Sequence, residues 1–358
     1  MPETIEIGPV SAQPGTRAFG YLPVATMASG AELGVPVHIV AGAESGPGLA
    51  LVVGLHGHEY SAINILIEVL KQVDPSSLRG HLIMVPMANP VAFEHGAKSG
   101  WVDGLYGGYG DLNKTWPGSP DGWLTEKLAH AIASEVLPQS EVVIDFHGEA
   151  MGARNRNFYS YILSSDSDKV SNERLRKLAI TFGMEVLIDR KIVAGPGSLT
   201  DYAFSQGIYV VGAEISDFFG LELPEGGRSL TGVRTLTETG VTGVFNTMKL
   251  IGMIDGDPVL PPVQAHLRGM AGVGPQHGGL LIPEHTPRDL GRIFSKGTVL
   301  GRVISANSFE ELDTLRMPYD EGMLVMVKGE KPFVQVNPGS GDFGFYVADY
   351  TGVEWIRH

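Results

Sequence analysis

Apolar and polar residues follow two patterns along the first two thirds of the chain. Short continuous apolar runs predict buried strands at 49–55, 81–88, 141–147, 158–163 and 208–214. Between these runs, apolar residues recur at every third or fourth position, which predicts helices at 61–73, 124–137 and 171–182. Because strands and helices alternate, we expect an α/β fold with a mostly parallel or mixed sheet flanked by helices.

The pattern changes after residue 255. Prolines at positions 258, 261 and 262 predict a linker, and the helical pattern fades beyond them. Short β-type runs separated by glycine follow, such as 278–283 and 298–304. We therefore predict a larger domain at 1–255, with an N-terminal β segment at 1–40, and a smaller β-rich C-terminal domain at 256–358.

Composition narrows the class of protein. The 358 residues are 43% hydrophobic and 18% charged, which is typical of a folded globular chain. A net charge of −14 argues against binding to nucleic acid or to an anionic membrane surface. The N-terminal residues lack the basic and apolar regions of a secretory signal. We expect a cytoplasmic protein that acts on a small molecule, and the sequence leaves homo-oligomer formation open.

Two predicted strands lead into histidine-containing segments. His56 and Glu59 follow the strand at 49–55 and are three residues apart, so they can converge as two ligands of a zinc ion. His147 ends the strand at 141–147 and is the candidate third ligand, although a single strand-end histidine is more often an ordinary hydrogen-bonded residue. Asp145 shares the face of His147 and is placed to orient it. The chain has no cysteine, so any zinc must be held by histidine and carboxylate.

Two further segments complete an ordered set of motifs. Residues 111–118 read Asp-Leu-Asn-Lys-Thr-Trp-Pro-Gly, and the strand at 208–214 ends in Glu214. With these motifs the chain resembles the succinylglutamate desuccinylase/aspartoacylase family, a branch of the zinc carboxypeptidase fold, from about residue 42 to Glu214. The resemblance implies that residues 1–255 carry the catalysis.

The resemblance also implies a role for each matching residue. His56, Glu59 and His147 would hold one zinc ion, and Glu214 would be the catalytic acid and base. His58 lies between two of these ligands and is expected to point away from them, either behind the ligands or at the rim of the site.

The chain departs from the family pattern in its basic residues. Lys114 replaces the arginine of the family's Asp-Leu-Asn-Arg motif, and Lys98 occupies the position that matches a second arginine. Extra glycine- and tyrosine-rich sequence at 105–110 precedes the motif. Arginine is a planar two-pronged donor whereas lysine is a compact point charge, so we predict an altered substrate pocket.

Several side chains are candidates to contact the substrate. Lys98 and Asn113 are candidates to stabilise the oxyanion of a tetrahedral intermediate, with Lys114 as the alternative. Arg190 lies on a segment where the family carries a substrate-binding basic residue. Two more arginines follow His147 closely and are candidates to bind a substrate carboxylate: Arg154 and Arg156.

The leading hypothesis is a zinc-dependent amidohydrolase that removes an acyl group from a small N-acylated amino acid or amine. A metallocarboxypeptidase acting on short peptides is the second, since it shares the metal centre and differs in which side of the amide is anchored. The third is a non-catalytic protein that binds a small molecule on the same scaffold. The presence of Glu214 together with all three candidate ligands favours an enzyme.

Overall fold

The computed structural model describes residues 2–101, 103, 110–148, 158–216, 236–286, 289–328, 334–336 and 343–358. Within these ranges the chain forms six α-helices: α1 Ile63–Gln72, α2 Pro90–Glu94, α3 Leu124–Glu135, α4 Asn172–Phe182, α5 Leu199–Ser205 and α6 Leu236–Leu250. In the same ranges none of the helices combines the length and the apolar character needed to cross a membrane.

The strands of the described residues are numbered in chain order. The first ten are β1 Ile5–Ile7, β2 Val10–Ala12, β3 Thr16–Thr26, β4 Glu32–Ala41, β5 Glu44–Val53, β6 Arg79–Val85, β7 Val142–His147, β8 Phe158–Ser165, β9 Val186–Ile192 and β10 Tyr209–Ile215. The last ten are β11 Val263–Leu267, β12 Met270–Val273, β13 Gly279–Pro283, β14 Ile293–Ser295, β15 Val299–Ile304, β16 Glu311–Arg316, β17 Glu321–Val327, β18 Val334–Val336, β19 Phe345–Asp349 and β20 Glu354–Arg357.

The largest sheet is mixed and, within the described ranges, has ten strands in the order β20-β11-β9-β8-β10-β7-β5-β6-β4-β3. Strands β5, β6, β7 and β10 run parallel to one another, whereas β8 is antiparallel to β10 and parallel to β9. The predicted α/β fold with a mixed sheet flanked by helices is confirmed. The carboxyl ends of β5, β7 and β10 therefore meet at one edge, which is where such sheets bind ligands.

The centre of the large sheet is the apolar core of the molecule. Residues 49–53 of β5 are completely buried, as expected for a strand covered on both faces. Helices α1 and α4 both pack against α6, and α3 packs against β3. The rigid sheet fixes the positions of the residues at its ends.

The chain after residue 255 is β-rich, as predicted. Its described residues form two four-stranded antiparallel sheets, β12-β19-β17-β14 and β16-β15-β13-β18. Two other strands from this part, β11 and β20, extend the large sheet beside β9. The division into domains at residue 255 stays a prediction.

Candidate active site

The loop after β5, which carries His56 and Glu59, is shaped by two glycines. Gly54 has a φ of +74°, a conformation that favours glycine. Gly57 lies so close to α2 that a Cβ at this position would overlap the backbone of Ala92. The backbone N–H of Glu59 donates to the carbonyl oxygen of His56 at 3.0 Å, and this turn brings the two side chains together.

The side chains of His56, Glu59 and His147 converge at the end of the sheet. Nδ1 of His56 lies 2.9 Å from Oε1 of Glu59, and Nδ1 of His147 lies 2.7 Å from Oε2 of Glu59. The three residues offer ligand atoms that all lie within 4.8 Å of one another. His147 reaches this point because it is the last residue of β7, next to β5 in the sheet.

Each histidine has a buried carboxylate behind it. Nε2 of His56 lies 3.2 Å from Oδ1 of Asp111, and Nε2 of His147 lies 3.4 Å from Oδ2 of Asp145. Asp111 favours the tautomer of His56 with the proton on Nε2, whereas Nε2 of His147 faces both Asp145 and the amide nitrogen of Asn113. Both Nδ1 atoms face Glu59. Two imidazole nitrogens and one carboxylate are a donor set that catalytic zinc uses, so the residues present fit a zinc ion.

The charges of this cluster depend on one another. Burial opposes the charged form of His147, but the Asp145 and Glu59 carboxylates outweigh it and raise the pKa of His147 well above its ordinary value. Burial also opposes the charged form of His56, but Glu59 and Asp111 outweigh it and raise the pKa of His56. Burial alone would raise the pKa of Glu59, but His56 and His147 outweigh it and hold that pKa well below its usual range. A metal ion must therefore displace protons from the histidines.

Glu214 lies beside the cluster because β10 runs parallel to β7 with Glu214 paired to His147. The hydroxyl of Tyr161 donates to Oε1 of Glu214 at 3.4 Å. Glu214 and the three candidate metal ligands all line one cavity of about 680 Å³. A candidate acid–base and a candidate metal set thus face the same space.

The three candidates for oxyanion binding line this cavity as well. Nζ of Lys98 lies 3.6 Å from Oδ2 of Asp111, and its side chain is 55% exposed. Asn113 is more firmly held: its Oδ1 accepts from the backbone N–H of Leu199 at 3.1 Å. Its amide nitrogen is therefore turned towards Nε2 of His147, 3.3 Å away. Lys114 completes the group.

The candidate substrate-binding arginines are placed as follows. Arg190, on β9, lines the cavity, and its guanidinium carbon lies 4.9 Å from the centroid of the Tyr161 ring. Arg154 and Arg156 lie outside the described residues, so their role stays a prediction.

Comparison with models of known protein families identifies the family of the chain. Residues 45–225, just over half of the chain, match the succinylglutamate desuccinylase/aspartoacylase catalytic domain. The chain belongs to this family. The family expected from the motifs at 56–59, 111–118 and Glu214 is therefore confirmed.

Similar proteins include one curated family relative and several solved structures. The N-alpha-acetyl-L-2,4-diaminobutyric acid deacetylase of Halomonas elongata is 28% identical over 276 residues, which cover 75% of this desuccinylase/aspartoacylase family member and 73% of the relative. A succinylglutamate desuccinylase/aspartoacylase from Rhodobacter sphaeroides superimposes with a TM-score of 0.72 at 21% identity, over 93% of this chain and 95% of that one. The product-bound ectoine utilization protein EutE of Ruegeria pomeroyi gives a TM-score of 0.74 at 22% identity, over 96% and 100% of the two chains. The fold is thus shared over nearly the whole chain.

Sequence reasoning missed part of the cavity wall of this family member. Among the described residues after 255, four side chains line the cavity: Met270, Met326, Phe343 and Tyr346. The ring centroids of Phe343 and Tyr346 lie 4.1 Å apart. His58, expected at the rim, also lines the cavity, with Nε2 3.7 Å from Oε1 of Glu59. The sequence pattern predicts that the chain after residue 255 is β-rich, but it does not identify which of its residues line the cavity.

Proposed function

We propose that the protein is a zinc-dependent amidohydrolase that binds one zinc ion per chain and removes the acyl group from a small N-acylated amino acid or amine. The observation that carries this proposal is the convergence of His56, Glu59 and His147 with Glu214 on one cavity. An open metal position beside a carboxylate is the arrangement that hydrolysis of an amide requires.

His56 and His147 would bind the zinc through nitrogen and Glu59 through oxygen. When bound there, zinc polarises a substrate carbonyl and makes a water molecule more acidic. Glu214 accepts the proton of the attacking water and then delivers it to the nitrogen of the leaving amine, so that one carboxylate acts first as base and then as acid. Its place opposite His147 on the adjacent strand fits both steps.

Polar groups beside Asp111 would stabilise the negative charge that develops on the carbonyl oxygen. Asn113 is one candidate donor, since it lines the cavity and its amide oxygen already accepts from the backbone N–H of Leu199, which leaves the amide nitrogen to donate. Lys98 adds a positive charge at the same end of the cavity, next to Asp111. Lys114 and Arg190 are then left to bind a carboxylate of the substrate.

The relative from Halomonas elongata supports the choice of substrate class, since its name states that it deacetylates an N-acetylated diamino acid. We therefore expect the acyl group to be small and the amine to be an amino acid. Lysines in place of the two family arginines are expected to shift the preference away from acidic amino-acid substrates.

The test is hydrolysis by the zinc-supplied protein of a panel of N-acetylated amino acids that includes Nα-acetyl-2,4-diaminobutyric acid. We expect amine release by the wild type and a fall in kcat of roughly 10²- to 10⁴-fold in Glu214→Gln, since a general acid–base is lost. Glu44→Gln, an exposed change on β5, is the matched control and should leave kcat unchanged. Turnover restricted to the C-terminal residue of peptides would overturn the proposal in favour of a carboxypeptidase.

A further inference from the structure

Two buried tyrosines lie on the same face of the large sheet as Glu214. Tyr159 is paired with Glu214 across β8 and β10, and Tyr161 lies two residues further along β8, so both side chains emerge on that face. Tyr159 is 1% exposed and Tyr161 6% exposed. Buried hydroxyls of this kind require hydrogen-bond partners, because an unpaired polar group inside a protein is costly.

The two hydroxyls form a directed chain that ends on the carboxylate. Tyr159 and Tyr161 are joined at 3.4 Å between their hydroxyl oxygens, and the hydroxyl of Tyr161 lies 3.4 Å from Oε1 of Glu214. An ionised carboxylate only accepts, so Tyr161 donates to Glu214 and its oxygen is free to accept from Tyr159. Hydrogen bonds of catalytic groups are often long before substrate is bound and shorten in the complex.

The ring of Tyr161 is confined by its neighbours. The guanidinium of Arg190 covers the ring at 4.9 Å, a cation–π contact. Towards β10 the ring borders Gly212, where a Cβ would lie 3.2 Å from Cδ2 of Tyr161. A larger residue at 212 would push the ring aside, so the glycine leaves the space that the tyrosine needs.

We propose that Tyr161 is a positioning residue that holds the Glu214 carboxylate in place, with Tyr159 fixing the hydroxyl of Tyr161 and Arg190 fixing its ring. The proposal rests on the proposed function, in which Glu214 moves the proton. A carboxylate that must reach water in one step and the leaving nitrogen in the next loses rate when it is misplaced by as little as 1 Å. Support from neighbouring hydrogen bonds prevents that misplacement.

The kinetic test compares Tyr161→Phe with a matched tyrosine elsewhere in the same sheet. Tyr209, on β10, also has an arginine over its ring, Arg174 at 4.3 Å, and its hydroxyl accepts from the backbone N–H of Ser171 at 3.2 Å. It lies five residues before Glu214 and thus on the opposite face. We expect Tyr161→Phe to lower kcat roughly tenfold with KM and zinc content unchanged, and Tyr209→Phe to change none of these.

A double-mutant cycle separates positioning from a general loss of structure. If Tyr161 acts through Glu214, Tyr161→Phe has no further effect on kcat in the Glu214→Gln background. Equal losses in both backgrounds, or a kcat of Tyr161→Phe equal to that of Tyr209→Phe, would overturn the inference. Tyr159→Phe should lower kcat in the same direction by a smaller factor, because it acts one hydrogen bond further away.

Crystal structures give a readout that needs no turnover. We expect a single Glu214 conformer in the wild type and in Tyr209→Phe, and more than one in Tyr161→Phe. An unmoved, singly ordered Glu214 in Tyr161→Phe overturns the inference whatever the substrate. Absence of hydrolysis by the wild type, or full activity of Glu214→Gln, contradicts the proposed function instead, so the two failures are distinguishable.

Discussion

Glu59 is the side chain through which the charges of the site are linked. Its two carboxylate oxygens face the Nδ1 atoms of His56 and His147, at 2.9 and 2.7 Å. The same three groups would bind the metal, so protons and zinc compete for the two imidazoles. Asp111 and Asp145 add to this competition because each lies beside the Nε2 atom of one histidine.

The first prediction concerns the pH dependence of zinc affinity. The pKa values of His56 and His147 are both raised, so the rings keep their protons to a higher pH than free histidine does. Zinc binds neutral imidazole, hence affinity should rise with pH until both rings are deprotonated. Chelator competition, corrected for protonation of the chelator, should give an affinity at about pH 8 more than tenfold that at about pH 6. Equal affinities at the two pH values would contradict this charge balance.

The second prediction concerns the carboxylate behind His147. Asp145 is 3% exposed and its Oδ2 lies 3.4 Å from Nε2 of the histidine. Asp145→Asn should weaken zinc binding by roughly 10- to 100-fold, because the histidine becomes a poorer and less well-oriented ligand. Asp320→Asn, on the exposed turn before β17, is the control. If zinc titrations gave the two variants the same affinity, Asp145 would not support zinc binding through His147.

At the scale of elements, the site depends on how closely the loop after β5 packs on α2. Position 57 must be glycine for the loop to pack this closely, because a side chain there would overlap the backbone of Ala92. The turn from His56 to Glu59 can hold both candidate ligands in place only while the loop keeps this path.

The third prediction follows from that packing. Gly57→Ala must displace the loop and with it His56 and Glu59, so we expect zinc affinity to fall at least about tenfold and the melting temperature to drop. Gly269→Ala is the matched control, since a Cβ there meets no atom within 4 Å. Melting curves and zinc titrations of the two variants provide the check. Wild-type affinity in Gly57→Ala would show that the loop tolerates another path.

The sequence predicted those strands whose apolar runs are continuous. β5, β7 and β10 were recognised because both of their faces are covered, and their ends then located His56, His147 and Glu214. β9 was not among the predicted strands, since its apolar run is interrupted by Asp189, Arg190 and Lys191. Asp189 and Arg190 line the cavity, which explains why the hydrophobic pattern fails there.

At the scale of the whole molecule, the cavity is assembled from segments far apart in sequence. The candidate metal ligands come from residues before 148, whereas Tyr346 and Met326 reach the same space from the β-rich chain after residue 255. No local pattern encodes such a juxtaposition, because it depends on how the smaller sheets pack against the large one. The contact of Asp111 with His56 escaped prediction for the same reason.

The central claim is that this site holds a metal that hydrolysis requires, and metal content tests it most directly. Elemental analysis would be made on the wild type, Glu214→Gln, His147→Ala and the exposed control His277→Ala, with deacetylation measured on the same preparations. The account predicts about one zinc per chain in all but His147→Ala, and full activity only in the wild type and His277→Ala. A wild type that carries no metal and takes none up from added zinc would contradict it.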